Sequence, residues 1–176
     1  MSIEYFQRRQ NNLKEKIAKE NLDGMLVTNL THIRYLCGFT GSSATLLITD
    51  DQIHFITDGR YVVQSEKEVK GANVIIDSIP HYEVIKDKSL LKNGQRIGFD
   101  GNNVTHQGNQ QISKVWTGQQ LVNLTGVIES LAMIKDDKEL EAIKTAVEIT
   151  DKAFSEVLPM VKIGVEEKII ANQLSF

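Results

Sequence analysis

The chain has 176 residues, of which 41% are hydrophobic and 6% aromatic, so it can bury a core and does not have the composition of a disordered tail. Its formal charge of -3, from 20 basic and 23 acidic residues, excludes the electrostatic footprint of a nucleic-acid or anionic-membrane partner. The one cysteine excludes an intrachain disulfide framework and is typical of a reducing compartment. No apolar run approaches the roughly 18 residues of a membrane span, so we expect a cytoplasmic protein.

Hydrophobic periodicity and turn residues divide the first 124 residues into helices and strands. The predicted elements, in chain order, are a helix (2–21), a strand (25–28), a short helix (32–36), two strands (44–49 and 52–57), a helix (60–70), a strand (74–76), a weak helix (82–91), a strand (96–99), a helix (105–116) and a strand (120–124). We expect Ser2 as the first N-cap and Val62 in the core.

Only Asp50 and Asp51 separate two of these strands, and so short a link predicts an antiparallel hairpin. The hairpin is followed by alternating helices and strands, which are typical of parallel crossovers. The order of elements therefore predicts an α/β fold, a mixed sheet with helices on both faces.

The pattern changes after Glu129, where two helical segments follow without a strand between them. The first begins after Asp136, a good N-cap with Glu139 three residues later as in a capping box, and ends or bends at Pro159. The second covers residues 165–176, and its apolar pattern has no stop signal, so we expect Phe176 to lie within a longer helical region. The predicted domains are residues 1–129 and a helical fragment, residues 130–176.

The residues that could carry chemistry give weak signals. The loop from Gly38 to Ser43 has glycines and hydroxyls but lacks the Lys and the long following helix of a phosphate-binding loop, so a plain turn that exposes Phe39 is favoured. Cys37 has no His or Lys beside it, which favours a half-buried structural thiol over a nucleophile. The histidines show no metal-site spacing and are predicted to be structural. They are His32, His54, His81 and His106.

Acidic residues at strand ends raise one alternative, a nuclease that holds two metal ions. The residues concerned are Asp50, Asp51, Asp58 and Asp100. The hairpin, however, sends Asp50 and Asp51 to the opposite end of the strand from Asp58, and the low basic charge disfavours a nucleic-acid substrate. The residues alone therefore predict an α/β domain plus a helical fragment, without a self-contained active site.

Five stretches of the chain resemble, in the same order, segments of one enzyme family. They are NLTHIRYLCGFTGS (29–42), ITDGRY (56–61), RIGFD (96–100), IKDDKEL (134–140) and KIGVEE (162–167). These segments are similar to those of the creatinase/prolidase group of pita-bread enzymes, nearest to Xaa-Pro aminopeptidases and dipeptidases. Leu30 in place of the family's proline and Cys37 in place of threonine are mild departures. The resemblance implies a ribonuclease-H-like N-terminal domain, in agreement with the predicted order of elements.

The resemblance also implies a chemistry whose residues are not in this sequence. Such enzymes hydrolyse the bond before proline in short peptides, using two divalent metals, commonly manganese, held by two Asp, one His and two Glu. None of those ligands has a match here, because by the resemblance residues 130–176 are the linker and first helices of a truncated catalytic domain, and these helices precede the ligands. Five acidic residues lie at helix starts, where carboxylates complement the helix dipole, and are not taken for ligands: Asp136, Asp137, Glu139, Glu166 and Glu167. The 176 residues are therefore expected to be catalytically inactive, with no catalytic or metal-binding residue of their own.

By the same resemblance, the N-terminal domain is expected to mediate contacts in a homodimer or tetramer and to limit access to a neighbouring subunit's active site. Arg34, Tyr35 and Phe39 are the candidates for contact with substrate or with the partner subunit. Asp58 and Arg60 are expected to form a structural junction between a strand and a helix. Two alternatives stay open: a protein-binding module that has lost catalysis, and a related amidinohydrolase such as a creatinase.

Overall fold

A computed structural model describes residues 3–174. The chain divides into two compact units, Met1–Met133 and Ile134–Phe176. The elements of the first unit are α1 (Ile3–Lys19), β1 (Gly24–Val27), α2 (Leu30–Cys37), β2 (Thr45–Thr49), β3 (Ile53–Thr57), a 3-10 turn (Gly59–Tyr61), α3 (Val62–Glu68), β4 (Asn73–Ile76), α4 (His81–Asp87), β5 (Arg96–Asp100), α5 (His106–Val115), β6 (Gln120–Leu124) and α6 (Val127–Ala132). Those of the second unit are α7 (Asp137–Val157), a 3-10 turn (Leu158–Met160) and α8 (Glu167–Leu174).

The first unit is built on one six-stranded mixed sheet, in the order β4-β3-β2-β1-β5-β6. Strand β2 is antiparallel to both of its neighbours, and the other pairs are parallel. The predicted hairpin and mixed sheet are thereby confirmed. Because only β2 runs in the opposite direction, the C-terminal ends of β1, β3 and β5 lie at the same edge of the sheet, and the residues that follow them are brought to that edge.

Apolar residues alternate between the two faces of the central strands, which gives the sheet a core on each side. Met25 and Leu46 belong to a cluster that includes side chains of α1, α2 and α6. Leu26 and Leu47, the next residue in each strand, belong to a second cluster that includes side chains of α4 and α5. Helices therefore cover both faces of the sheet, as the sequence predicts.

Helix α2 is fixed at both ends by local chemistry. The Asn29 side chain caps its start by accepting hydrogen bonds from the backbone N–H groups of Thr31 (2.8 Å) and His32 (3.3 Å). Gly38 ends the helix in the left-handed region at φ 88°, where glycine avoids the strain of a side chain. The thiol of Cys37, in the last turn, is completely buried rather than half-buried as predicted. Burial raises its pKa to about 11, in keeping with a structural rather than a nucleophilic role.

Two expectations in the first unit need correction or extension. Val62 does not enter the core: it is 40% exposed, because a 3-10 turn precedes α3 and turns this residue outward. Helix α6 was not predicted, since its N-cap, Gly126, offers no capping side chain. The predicted domain boundary at Glu129 falls on a residue of α6 and stays a prediction. The predicted N-cap Ser2 lies outside the described residues.

The second unit begins with the capping box that the sequence predicts. Asp136 accepts from the backbone N–H of Glu139, and the Glu139 carboxylate accepts from the backbone N–H of Asp136, both at 3.0 Å. Helix α7 ends at Val157, two residues before Pro159, which lies in the 3-10 turn. Across residues 3–174, no helix is long and apolar enough to cross a membrane.

Candidate functional site

The loop from Gly38 to Ser43 is held tightly against α3 and the 3-10 turn. The backbone N–H of Thr40 donates to the Glu68 carboxylate at 2.7 Å, and the Thr40 hydroxyl donates to it at 2.9 Å. Ser42 makes two hydrogen bonds to the Tyr61 hydroxyl, from its backbone N–H at 3.1 Å and through its own hydroxyl at 2.6 Å. The Ser42 hydroxyl lowers the pKa of Tyr61 because its hydrogen bond stabilises the phenolate. The loop is therefore a fixed polar surface.

Phe39 does not lie on that surface. The expectation that the turn exposes Phe39 is wrong, since the residue is only 1% exposed. Its ring packs edge-on against Phe55 and Tyr61, with centroid distances of 4.7 and 5.3 Å. Gly41 allows this packing, because a Cβ atom at that position would lie 2.3 Å from the Phe39 ring. Phe39 thus supports the loop from the inside, and its role at a substrate or subunit contact stays a prediction.

Arg34 and Tyr35 lie on α2, beside the loop. Arg34 is exposed and Tyr35 is half-buried. The buried guanidinium of Arg9 lies 4.3 Å from the centre of the Tyr35 ring and donates to the Tyr35 carbonyl oxygen at 2.9 Å. Tyr35 is therefore anchored to α1, whereas Arg34 presents its charge to solvent. Contact of either residue with substrate or a partner subunit stays a prediction.

Asp58 and Arg60 lie where β3 passes into the 3-10 turn. The Asp58 carboxylate accepts from the backbone N–H of Arg60 at 3.1 Å and receives two side-chain hydrogen bonds, from Arg60 Nε at 2.8 Å and Nη2 at 2.9 Å. This pairing with the Arg60 guanidinium holds the pKa of Asp58 well below its usual range. The two residues cap the turn and are paired with each other, which is the geometry of a structural junction.

A histidine and two carboxylates from three separate elements converge elsewhere in the first unit. His32 comes from the first turn of α2, Asp100 from the end of β5 and Glu129 from α6. His32 Nδ1 lies 3.8 Å from Asp100 Oδ2, and His32 Nε2 lies 3.6 Å from Glu129 Oε1. One ligand atom from each residue lies within 4.8 Å of the other two. We call these three residues the His32 cluster.

The sequence does not predict the His32 cluster. Its histidines have no metal-site spacing, Asp100 is grouped only with the acids of the nuclease alternative, and Glu129 marks a predicted domain boundary. The one indication of the cluster in the sequence is the position of Asp100 at the end of a strand, since neighbouring parallel strands have their C-terminal ends at the same edge of the sheet. The pairing of β1 with β5 then places Asp100 beside the start of α2. That pairing could not be deduced from the order of elements alone.

The acids of the nuclease alternative do not form a shared site. Asp58 follows β3 and Asp100 ends β5, at the same edge of the sheet, but β2 and β1 lie between those strands. Three strand spacings separate them by about 14 Å, whereas a two-metal site holds its ions about 4 Å apart. Asp50 and Asp51 follow β2, which runs in the opposite direction, and therefore lie at the other edge.

Comparisons with known proteins identify one family. Residues 9–134 match the family model of the Creatinase/Prolidase N-terminal domain. The uncharacterized peptidase YqhT of Bacillus subtilis is 34% identical over 164 residues, which cover 93% of this chain and 46% of that protein. The chain spans about half the length of this relative.

Solved structures agree with the sequence relatives. An Xaa-Pro dipeptidase from Bacillus anthracis is similar with a TM-score of 0.88 at 27% identity, covering 96% of this chain and 47% of the dipeptidase. The N-terminal domain of the cytoplasmic peptidase PepQ from Mycobacterium tuberculosis is similar with a TM-score of 0.63 at 30% identity, covering 70% of this chain and 98% of that structure.

Proposed function

Because the chain belongs to the Creatinase/Prolidase N-terminal domain family, we propose that it is the non-catalytic N-terminal part of a metal-dependent peptidase. The whole protein would hydrolyse the bond before proline in short peptides in the cytoplasm. The observation that carries the proposal is the similarity to the Bacillus anthracis Xaa-Pro dipeptidase, which extends over 96% of this chain but only 47% of the dipeptidase. We place catalysis in the part of such an enzyme that this chain does not match.

The residues of the second unit do not fit a two-metal centre. Residues 134–176 contain no histidine. The carboxylates of Asp136 and Glu139 accept backbone hydrogen bonds from each other's N–H groups, so they serve the capping box. Two divalent ions, with manganese as the expected metal, therefore bind outside this chain in our proposal. No catalytic step is assigned to any of its residues.

The proposed role of the first unit is self-association and control of access to a neighbouring subunit's active site. The surface that would serve this role comprises the loop from Gly38 to Ser43 together with Arg34. Hydrogen bonds from the loop to Glu68 and Tyr61 keep the loop in one conformation. The loop can therefore restrict the size of a bound peptide without the entropic cost of ordering the loop itself. The exposed guanidinium of Arg34 suits the carboxylate of a peptide or of a partner subunit.

The second unit supports the proposal through its uncovered apolar side chains. On α7, Val147 is 52% exposed and Phe154 is 62% exposed. On α8, Ile169 is 50% exposed. Apolar side chains at helical spacing normally face a core, so this exposed face favours burial against further parts of the proposed enzyme.

The decisive experiment is a peptidase assay with the 176-residue chain. The chain is incubated with Mn²⁺ and an Xaa-Pro dipeptide, with the Bacillus anthracis Xaa-Pro dipeptidase as the positive control. We expect no turnover by the chain. Metal-dependent release of proline by the 176 residues would refute the non-catalytic assignment. A parallel incubation with creatine tests the amidinohydrolase alternative, and hydrolysis there would refute the non-catalytic assignment as well.

The access role is tested separately by light scattering. We expect the chain to self-associate as a dimer or tetramer, and we expect Arg34→Ala to weaken that association if Arg34 contacts the partner. Lys67→Ala, which removes another positive charge from α3, is the matched control. A monomer at all concentrations would contradict self-association through this part of the protein.

A further inference from the structure

The His32 cluster contains a buried imidazole, one nitrogen of which makes no hydrogen bond to the described residues. His32 is only 9% exposed, and its Nδ1 atom has no hydrogen-bond partner among the described residues. Its closest approaches to carboxylates, 3.8 Å to Asp100 and 3.6 Å to Glu129, are both too long for hydrogen bonds. Buried polar atoms are nearly always paired, so an unpaired nitrogen that faces a carboxylate calls for a ligand.

We propose that His32, Asp100 and Glu129 form a binding site for one divalent transition-metal ion of the Zn²⁺ type. Their ligand atoms already lie within 4.8 Å of one another. This site lies entirely in the first unit. It therefore does not depend on the peptidase assignment.

The Asp100 carboxylate is held by hydrogen bonds, as ligating carboxylates in metal sites are. Its Oδ1 atom accepts from the backbone N–H of Asn102 at 3.0 Å, and its Oδ2 atom, the one that faces His32, accepts from the side-chain amide of Asn103. The Asn103 oxygen in turn accepts from Asn29 at 2.6 Å. Hydrogen bonds of this kind fix the direction of a ligating carboxylate and contribute to metal affinity.

Glu129 provides the entry to the site. Its side chain is 45% exposed, whereas those of His32 and Asp100 are 11% and 7% exposed. Zinc ligands lie about 2.0–2.2 Å from the ion, so the three ligand atoms must approach to about 3.3 Å from one another. The necessary closure is about 1.5 Å or less. His32 Nδ1 and Asp100, now 3.8 Å apart, must approach by about 0.5 Å. The rest falls to Glu129, which now lies nearest Nε2 and must turn towards Nδ1, because an exposed side chain can change its rotamer at little cost.

The ligand types select the class of ion. An imidazole nitrogen with two carboxylates suits a borderline ion such as Zn²⁺, whereas Mn²⁺ prefers sites made of oxygen ligands alone. Three protein ligands leave the fourth tetrahedral position for a water molecule. Since the ligands belong to α2, β5 and α6, the bound ion would join these three elements and raise the stability of the first unit.

The test is calorimetric titration of the metal-free 176-residue chain with Zn²⁺. We expect one ion per chain, and a rise in the melting temperature of the chain on binding. Glu129→Gln keeps the size of an exposed side chain but removes its charge, so the fold persists while the affinity falls at least tenfold. His106→Ala is the matched control, because His106 is an exposed histidine of α5 outside the cluster.

Two further variants separate ligation from folding. His32→Ala should abolish stoichiometric binding, and Asn103→Ala, which removes the hydrogen bond to Asp100, should weaken it about 10- to 100-fold. Competition should show weaker binding of Mn²⁺ than of Zn²⁺. The proposal is overturned if the chain binds no Zn²⁺, or if Glu129→Gln and His32→Ala bind it as tightly as the wild type.

Discussion

The two units use helices with similar apolar patterns but differ in what covers those helices. In the first unit, α1 places Leu13 and Ile17 against the sheet, where they are 0% and 2% exposed. In the second unit, α7 carries Val147 and Phe154, which are 52% and 62% exposed. Periodicity identifies which residues of a helix share a face, but only the fold shows whether another element packs against that face. The stabilisation that comes from burying apolar side chains is therefore concentrated in the first unit.

The largest expected effect comes from comparing a buried and an exposed phenylalanine, Phe55 and Phe154. Phe55 is completely buried in β3, so Phe55→Ala should lower the free energy of unfolding by about 3–5 kcal/mol, through lost burial and the cavity left behind. Phe154→Ala removes the same atoms from an exposed site and should change the free energy of unfolding by less than about 0.5 kcal/mol. Urea denaturation followed by far-UV circular dichroism measures both. Equal losses would show that Phe154 is covered in solution.

Alkaline pH should act on the buried thiol of the first unit. The pKa of Cys37 is about 11 in the folded chain, against an ordinary value of 9.0. Between these values the unfolded chain loses the proton and the folded chain retains it, so stability is full below pH 9 and falls as the pH rises towards 11. The loss corresponds to about 2–3 kcal/mol.

Cys37→Ala is the control for this titration. The variant has no thiol to ionise, so it should not lose the stability that the wild type loses through Cys37 at alkaline pH. Its stability relative to the wild type should therefore improve between pH 9 and 11. Denaturation at a series of pH values measures the difference. Parallel pH profiles for the two proteins would mean that the thiol is not buried as the structure describes.

Local signals in the sequence were sufficient for most of the first unit. Asp50 and Asp51 define the hairpin, and the strand at residues 120–124 has the predicted bounds. The capping box of Asp136 and Glu139 also marks the start of α7 correctly. Each of these features depends on residues that are close in the chain, which is why the pattern alone reveals them.

The errors arose where distant residues decide the outcome. Phe39 is buried because Phe55 and Tyr61 receive its ring, and nothing in the loop itself indicates those partners. The His32 cluster requires the pairing of β1 with β5, which sets the position of Asp100, and the packing of α6, a helix without a capping side chain. Strand order was not part of the sequence prediction, so neither the cluster nor its chemistry could follow from it.

Close packing in the first unit extends to its loop, and Gly41 tests this directly. A Cβ atom there would lie 2.3 Å from the Phe39 ring and 2.6 Å from the Tyr61 ring, so Gly41→Ala should cost about 1–3 kcal/mol of stability. Gly59→Ala is the matched control, because no atom lies within 4 Å of its Cβ position. Thermal denaturation of both variants measures the costs. An unperturbed Gly41→Ala protein would mean that the loop moves freely.

The smallest expected effect is in the second unit, where local hydrogen bonds replace a packed core. Asp136→Ala removes the side chain that caps α7 and should destabilise the first turn of this helix by about 1 kcal/mol. Asp137→Ala, one residue later, removes an exposed charge without a capping bond and should cost less. Amide hydrogen exchange in residues 137–141 reads the local opening directly. Faster exchange in Asp136→Ala alone would assign the stability of this turn to its cap, whereas equal rates in the two variants would assign it to charge and the helix dipole.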